Sequence, residues 1–295
     1  MANKHHYLPQ FYLRKFTSRG QRNLLWEYDK DAGTVVPSTP KKSAREAGYH
    51  SFESTSGTDN DTIEQRIKRD FEDPMVPVYE KIRHRQILDE REWTAFHLFA
   101  ASIIVRVPNY IANTQATMTT MYRRMFDIAK MHDPEFRARC VADGVPIEAL
   151  EAASVKTATR SAALTMSLAT VLGPAEMFCQ MQWQFLHSPV DTPFVTSDNP
   201  VFYCDPEHKP GFFQGVGLAN KTIEVTFPLT RTTCALGTWQ GSKQVHQDVG
   251  IEVVDLINPR TVRAALRFVY SSEKSDRLLD LVRVTKGSSP KIICS

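Results

Sequence analysis

The stretch DEREWTAFHLFAASIIVRV, residues 89–107, constrains the fold more than any other part of the chain. Asp89 is a good N-cap residue, and the run stops before Pro108. Between these ends, apolar side chains occupy almost every side of the helical wheel. A helix with no polar face has nothing to offer water, so the spacing predicts a central helix wrapped by the rest of the chain. Arg106 stands at its end, where an unpartnered charge would be costly. The sequence offers Glu64 and Asp198 as acidic partners for it; a phosphate or carboxylate ligand is the alternative.

The chain around this helix divides by pattern into three parts of one expected α+β domain, 1–295. Residues 1–58 look β-rich, with NLLWEYD and TVVPSTP flanking KDAG as a hairpin. Residues 59–187 look helical. Asp61 and Glu64 have capping-box spacing, and Pro74 and Pro77 should kink or divide the segment that follows. Asp133 and Pro134 open a further helix that Gly144 closes. The remainder, up to LHS, reads as two helices or one broken near Gly173-Pro174. Residues 188–295 return to strand chemistry in TPFVTSDNPVFYC, KTIEVTFPLT and TTCALGTW. Asn258 and Pro259 read as the cap and first residue of a late helix, RFVYSS as a return to the sheet, and KSDRLLDLVRV as a last helix.

Bulk properties exclude several classes. The 36 basic and 33 acidic residues give a net charge of +3, too balanced to argue for a nucleic acid or a membrane. The longest weakly polar stretch, TAFHLFAASIIVRV, residues 94–107, is interrupted by His97 and Arg106 and is too short to span a bilayer. The start, MANKHHYL, has no apolar h-region. The expectation is a cytoplasmic protein with no membrane. The five cysteines form no CxxC pair, so neither a zinc knuckle nor a thioredoxin-type site is readable.

Two short runs concentrate the remaining chemistry. In KHHYLPQFYLRKF, residues 4–16, an extended backbone would point His5 and His6 to opposite faces. Tyr7, Phe11, Tyr12 and Phe16 would pin the segment to the body, while Arg14 and Lys15 add positive charge. The second run is FVTSDNPVFY, residues 194–203. Pro200 holds Asn199 extended, and Ser197 and Asp198 can satisfy local backbone donors, which suits a turn at a strand end. Alternatively Asp198 faces a cleft as general base, histidine orienter or ligand of a divalent metal.

These two runs, with RVPN after the buried helix and FPLT after the second, resemble a bacterial family called domain of unknown function 4238. The resemblance runs from His5 to about Tyr270. It marks His5, His6, Tyr7, Pro9, Phe11, Tyr12, Arg14, Phe16, Glu64, Arg106, Ser197, Asp198, Asn199 and Pro200, and the family name implies no activity. His84 reads as part of a solvated helix face, His97 as a core residue, and His50, His132, His187, His208 and His246 as lacking partners at ligand spacing. No HExxH, GxSxG, Walker A or GxGxxG motif occurs.

The functional expectation is a hydrolase of phosphodiester or similar bonds, a nuclease-like effector of defence or toxin type. Its catalytic residues would be His5, His6, Arg14 and Asp198, and its ligand-binding residues Tyr7, Tyr12, Glu64, Arg106, Ser197 and Asn199. The alternative is a non-catalytic module that binds an anionic small molecule or nucleotide through the same aromatics and arginines. In both readings His6 and Asp198 should lie together across a cleft.

Overall fold

The computed structural model describes residues 4–21, 23–47, 49, 52–54, 57–59, 62–206, 217–240 and 245–288. Strand β1 (Lys4–His6) leads into α1 (Gln10–Leu13) and a 3-10 turn (Arg14–Phe16). Then come β2 (Leu25–Asp29), β3 (Thr34–Ser38), β4 (Arg45–Ala47), β5 (Phe52–Ser54) and β6 (Gly57–Asp59). The helical middle holds α2 (Thr62–Ile67), a π-helical stretch (Lys68–Glu72), α3 (Asp73–Arg83), α4 (Glu90–Arg106), α5 (Pro108–His132), α6 (Pro134–Ala142), α7 (Ile147–Thr157), α8 (Arg160–Ala169) and α9 (Leu172–Gln180). The last third contains β7 (Gln182–His187), β8 (Thr196–Ser197), β9 (Phe202–Cys204), β10 (Glu224–Thr230), β11 (Thr233–Thr238), β12 (His246–Asp248), α10 (Ile251–Ala264), β13 (Phe268–Ser271) and α11 (Asp276–Val284). The fold is α+β.

The order β3-β2-β13-β8 joins the first and last thirds of the chain in one sheet. A second sheet runs β12-β7-β11-β10-β9, antiparallel except for the β12–β7 pair. Two small ladders, β1-β4 and β5-β6, complete the pairing. The β2–β3 hairpin turns at Gly33, whose φ of 65° suits glycine.

Helix α4 is the centre of the molecule. The Asp89 carboxylate accepts from Glu92 N–H, and the Glu92 carboxylate accepts from Asp89 N–H, each at 2.9 Å. From Phe96 on, nearly every residue is buried, against α3, α8 and α9. The N-terminal segment packs onto the same core, with Phe11 against Phe99 and Tyr12 stacked on Phe227 at 5.7 Å.

Four sequence expectations need correction. Residues 10–16 are helical rather than extended: the extended Pro9 caps α1, and Tyr12 and Phe16, four residues apart, are both buried. QWQFLH is a strand, because its alternate members Trp183 and Phe185 both reach the core. Pro259 lies inside α10, and Asn258 instead ties that helix to the chain before β8 by accepting from Val195 N–H and donating to the Pro193 carbonyl. The run Arg160–Gln180, and not only the shorter 94–107, is apolar, and it has the length and composition of a membrane span. A two-residue break separates α8 from α9 within it, and Ala163, Leu164, Ala175 and Phe178 are buried in the core. The expected cap Asp61 lies outside the described residues.

Candidate functional site

Strand β1 pairs antiparallel with β4, setting His5 opposite Glu46 and His6 opposite Arg45. The two histidines point to opposite faces, as an extended backbone requires. His5 turns inward and is 1% exposed, with Nε2 3.7 Å from the Glu64 carboxylate on α2. His6 is half-buried and donates from Nε2 to the Lys41 carbonyl at 3.2 Å. Burial pulls the His6 pKa down, and the facing Arg45 adds to that pull.

Arg106 sits behind this strand. Its side chain is 0% exposed, and Nη1 donates to the Glu72 carboxylate at 2.7 Å. Among the described residues, Nε and Nη2 meet no acceptor at all. Tyr49 donates from its hydroxyl to the backbone carbonyl of Arg106 at 2.6 Å, and its ring packs on Tyr7 at 5.5 Å. The guanidinium of Arg160, at the start of α8, lies over the Tyr49 ring at 4.3 Å and holds the Glu46 carboxylate with both terminal nitrogens. Burial raises the Tyr49 pKa, with Arg160 opposing. The result is an array in which Glu46, Glu64 and Glu72 meet Arg160, His5 and Arg106 between the terminal segment and the helical middle.

The partner of Arg106 is therefore Glu72, neither Glu64 nor Asp198. Glu72 was missed because a π-helical stretch precedes α3, and nothing in the sequence marks it. A usable signal existed: Glu64 and Glu72 are eight residues apart, about two helical turns, which sets both carboxylates on one side of the segment.

The second motif does a different job. The Asp198 carboxylate accepts from the backbone N–H groups of Leu266, Arg267 and Phe268, each at 2.8 Å. Ser197 Oγ accepts from Asn199 N–H, and Asn199 Nδ2 donates to the Ala264 carbonyl. From the other side the buried Lys30 ammonium donates to the Val262 and Ala265 carbonyls at 2.9 Å. Together these groups build the corner from α10 into β13. Burial pushes the Asp198 pKa up to about 6, against the pull of its three donors. Asp198 thus orients neither His5 nor His6 in this arrangement; its hydrogen bonds serve the chain corner, and Ser197 and Asn199 belong to the same corner.

Three more expected site residues fall elsewhere. Tyr12 is wholly buried, donating to the Pro228 carbonyl at 2.8 Å and accepting from Thr196 Oγ at 2.5 Å, so it braces the core. Arg14 is exposed on the 3-10 turn and does not join the array. Tyr7 connects the two motifs: its ring meets Tyr49, and its hydroxyl lies 3.4 Å from that of Tyr270 on β13. Among the described residues no group of three or more His, Cys, Asp or Glu side chains could hold a metal ion.

Two histidines read as partnerless pair with each other. His187 and His246, on neighbouring strands, share a hydrogen bond of 2.9 Å, and His246 Nε2 donates to the Gln86 carbonyl. Fifty-nine residues separate them, so only the β7–β12 pairing reveals it. His97 is a core residue as expected, with Nδ1 3.3 Å from Cys179 Sγ.

Residues 4–275 match the model of a family described as Protein of unknown function (DUF4238). The chain belongs to this family. The matched span holds the array around Arg106 and the Asp198 corner alike, so both are features of a DUF4238 chain. No curated protein and no solved structure matches the chain.

Proposed function

We propose that this DUF4238 protein binds an anionic ligand, a phosphate- or carboxylate-bearing small molecule or nucleotide, at the array around Arg106. The reading rests on one observation: a fully buried guanidinium that gives one nitrogen to Glu72 and leaves Nε and Nη2 without an acceptor among the described residues. Buried donors without acceptors are costly, so a guanidinium held this way is prepared for an oxygen pair. Nε and Nη2 form one edge of the planar fork, the edge that grips a carboxylate or phosphate bidentately. Arg160 and the aromatic faces of Tyr49 and Tyr7 suit a planar, charged partner beside it.

The hydrolase reading is the second one, and the His5–Glu64 pair favours it. A carboxylate beside an imidazole fixes its orientation, which is what a general base acting on a phosphodiester needs. In this version Glu64 takes the role first given to Asp198, Arg106 steadies the phosphoryl oxygens, and Arg14 has no part.

A melting-temperature screen tests the binding reading. Inorganic phosphate, nucleoside mono- and diphosphates, sugar phosphates and dicarboxylates are added to the parent protein and to Arg106→Lys. At least one anion should raise the parent's melting point in a saturable way and leave the variant's unchanged. If no anion stabilises the parent, the reading fails. Turnover of a phosphodiester that Glu64→Gln and His5→Gln both abolish would select the hydrolase form.

A further inference from the structure

A second site lies on the far side of the Asp198 corner. Helices α10 and α11 leave between them a cleft of about 430 Å³, within the range of small-molecule sites. Its floor is apolar: Val195, Val254, Leu278 and Leu281. On its rim Asp255 is neutralised by Arg277 at 3.0 Å. A shallower hollow of about 370 Å³ adjoins it and shares Asp191 and Glu273 with it. That hollow is lined by Arg19, Arg231, Lys274 and Trp26. Among the described residues, none of these five charged side chains has an ion-pair partner.

The order of chemistry along the groove is therefore apolar, then anionic, then cationic. We propose that this groove binds a free, large apolar α-amino acid. Its side chain would occupy the α10–α11 cleft, its ammonium would face the dividing carboxylates of Asp191 and Glu273, and its carboxylate would turn toward Arg231 and its basic neighbours. A simple amine would satisfy the middle zone and leave the basic one unmatched. A simple carboxylate would meet Asp191 and Glu273 as like charges. A residue within a peptide lacks at least one of the two free charges. Only the free amino acid carries both, adjacent, on an apolar body. This site is separate from the array around Arg106, and neither depends on the other.

Calorimetric titration of the full chain with L-phenylalanine tests the proposal. Phenylethylamine lacks the carboxylate and 3-phenylpropanoate lacks the ammonium, and each should bind at least about tenfold more weakly than phenylalanine. Glu273→Gln and Arg231→Gln should each weaken phenylalanine by a similar factor. Ile251, half-exposed at the cleft's mouth, tests the apolar zone, and Ile251→Trp should abolish binding by filling it. Absence of saturable phenylalanine binding, equal binding of either analogue, or parent-like binding by the folded variants overturns the proposal. Should a variant fail to fold, the analogue comparison alone decides.

Discussion

Glu72 receives Nη1 of Arg106 at 2.7 Å where the end of α4 meets the π-helical stretch that leads into α3. The pair is unequal. The guanidinium is wholly buried, while the carboxylate keeps 19% of its surface. Removing the acid strands a charge in the core; removing the base leaves a carboxylate that can still reach water.

That asymmetry gives the first prediction. Glu72→Met should cost about 3–5 kcal/mol, the range for a buried pair that loses one member, and Arg106→Met less. The double substitution should recover much of the loss, because both charges then leave together. Urea denaturation of the three variants measures this. Additive losses in the double variant would mean that the two side chains do not act as a pair.

Asp198→Ala should cost about 1–3 kcal/mol, because it leaves three backbone donors without their acceptor. The pH dependence has a definite sign. The Asp198 pKa stands near 6, above its ordinary 3.8, so between those values the folded chain holds a proton that the unfolded chain has released. Its contribution to stability is greatest at the acid end of that window and declines until pH 6. The gap between parent and Asp198→Ala should accordingly be wider at pH 4 than at pH 7. Denaturant midpoints at both pH values check it.

The His187–His246 pair acts in the opposite direction. Burial pulls the His187 pKa from 6.5 down to about 4, with Arg85 and His246 adding to the effect. The folded state thus favours the neutral ring, and this stabilisation is full above pH 6.5 and is lost as pH falls toward 4. The hydrogen bonds agree: His246 Nδ1 accepts from His187 while its Nε2 donates to Gln86, and protonating that ring would set two N–H groups against each other. His187→Gln should flatten the stability profile between pH 6.5 and 4. An unchanged slope would remove these rings from the acid response.

Deleting residues 1–16 should leave an insoluble or strongly destabilised protein, since Tyr7, Leu8, Tyr12, Leu13 and Phe16 are all buried in the main core. At about 25 cal/mol per Å² their loss amounts to several kcal/mol. The milder Tyr12→Phe should cost about 1 kcal/mol or somewhat more, the worth of a buried hydroxyl with two partners. Thermal melting separates the two effects, and a truncated chain that melts like the parent would refute the anchoring role.

Local rules made some elements legible. Asp89 announces the start of α4 and Gly33 the β2–β3 turn, each within a few residues of chain. Asp198 shows the limit of such reasoning. A Ser-Asp-Asn-Pro turn was readable, yet the three N–H groups that fill its carboxylate come from about seventy residues downstream. Tyr7 through Phe16 misled differently: aromatics suggest a strand, but their spacing of four after Pro9 suits a helix, and here spacing decided. The array around Arg106 was half legible. His5, Glu64 and Arg106 were singled out, while Tyr49, Glu72 and Arg160 became visible only once β4, the π-helical stretch and α8 were folded around them.

The unclaimed edge of Arg106 is the proposed anion site, and the Nε–H proton of that side chain reports on it directly. In a spectrum of arginine side-chain N–H groups, assigned with Arg106→Lys, this proton should be protected from exchange by its burial. Adding the anion that stabilises the protein should shift its resonance saturably, with the same midpoint as the thermal response. An Arg106 Nε–H resonance that stays fixed while that anion binds would contradict the proposed site.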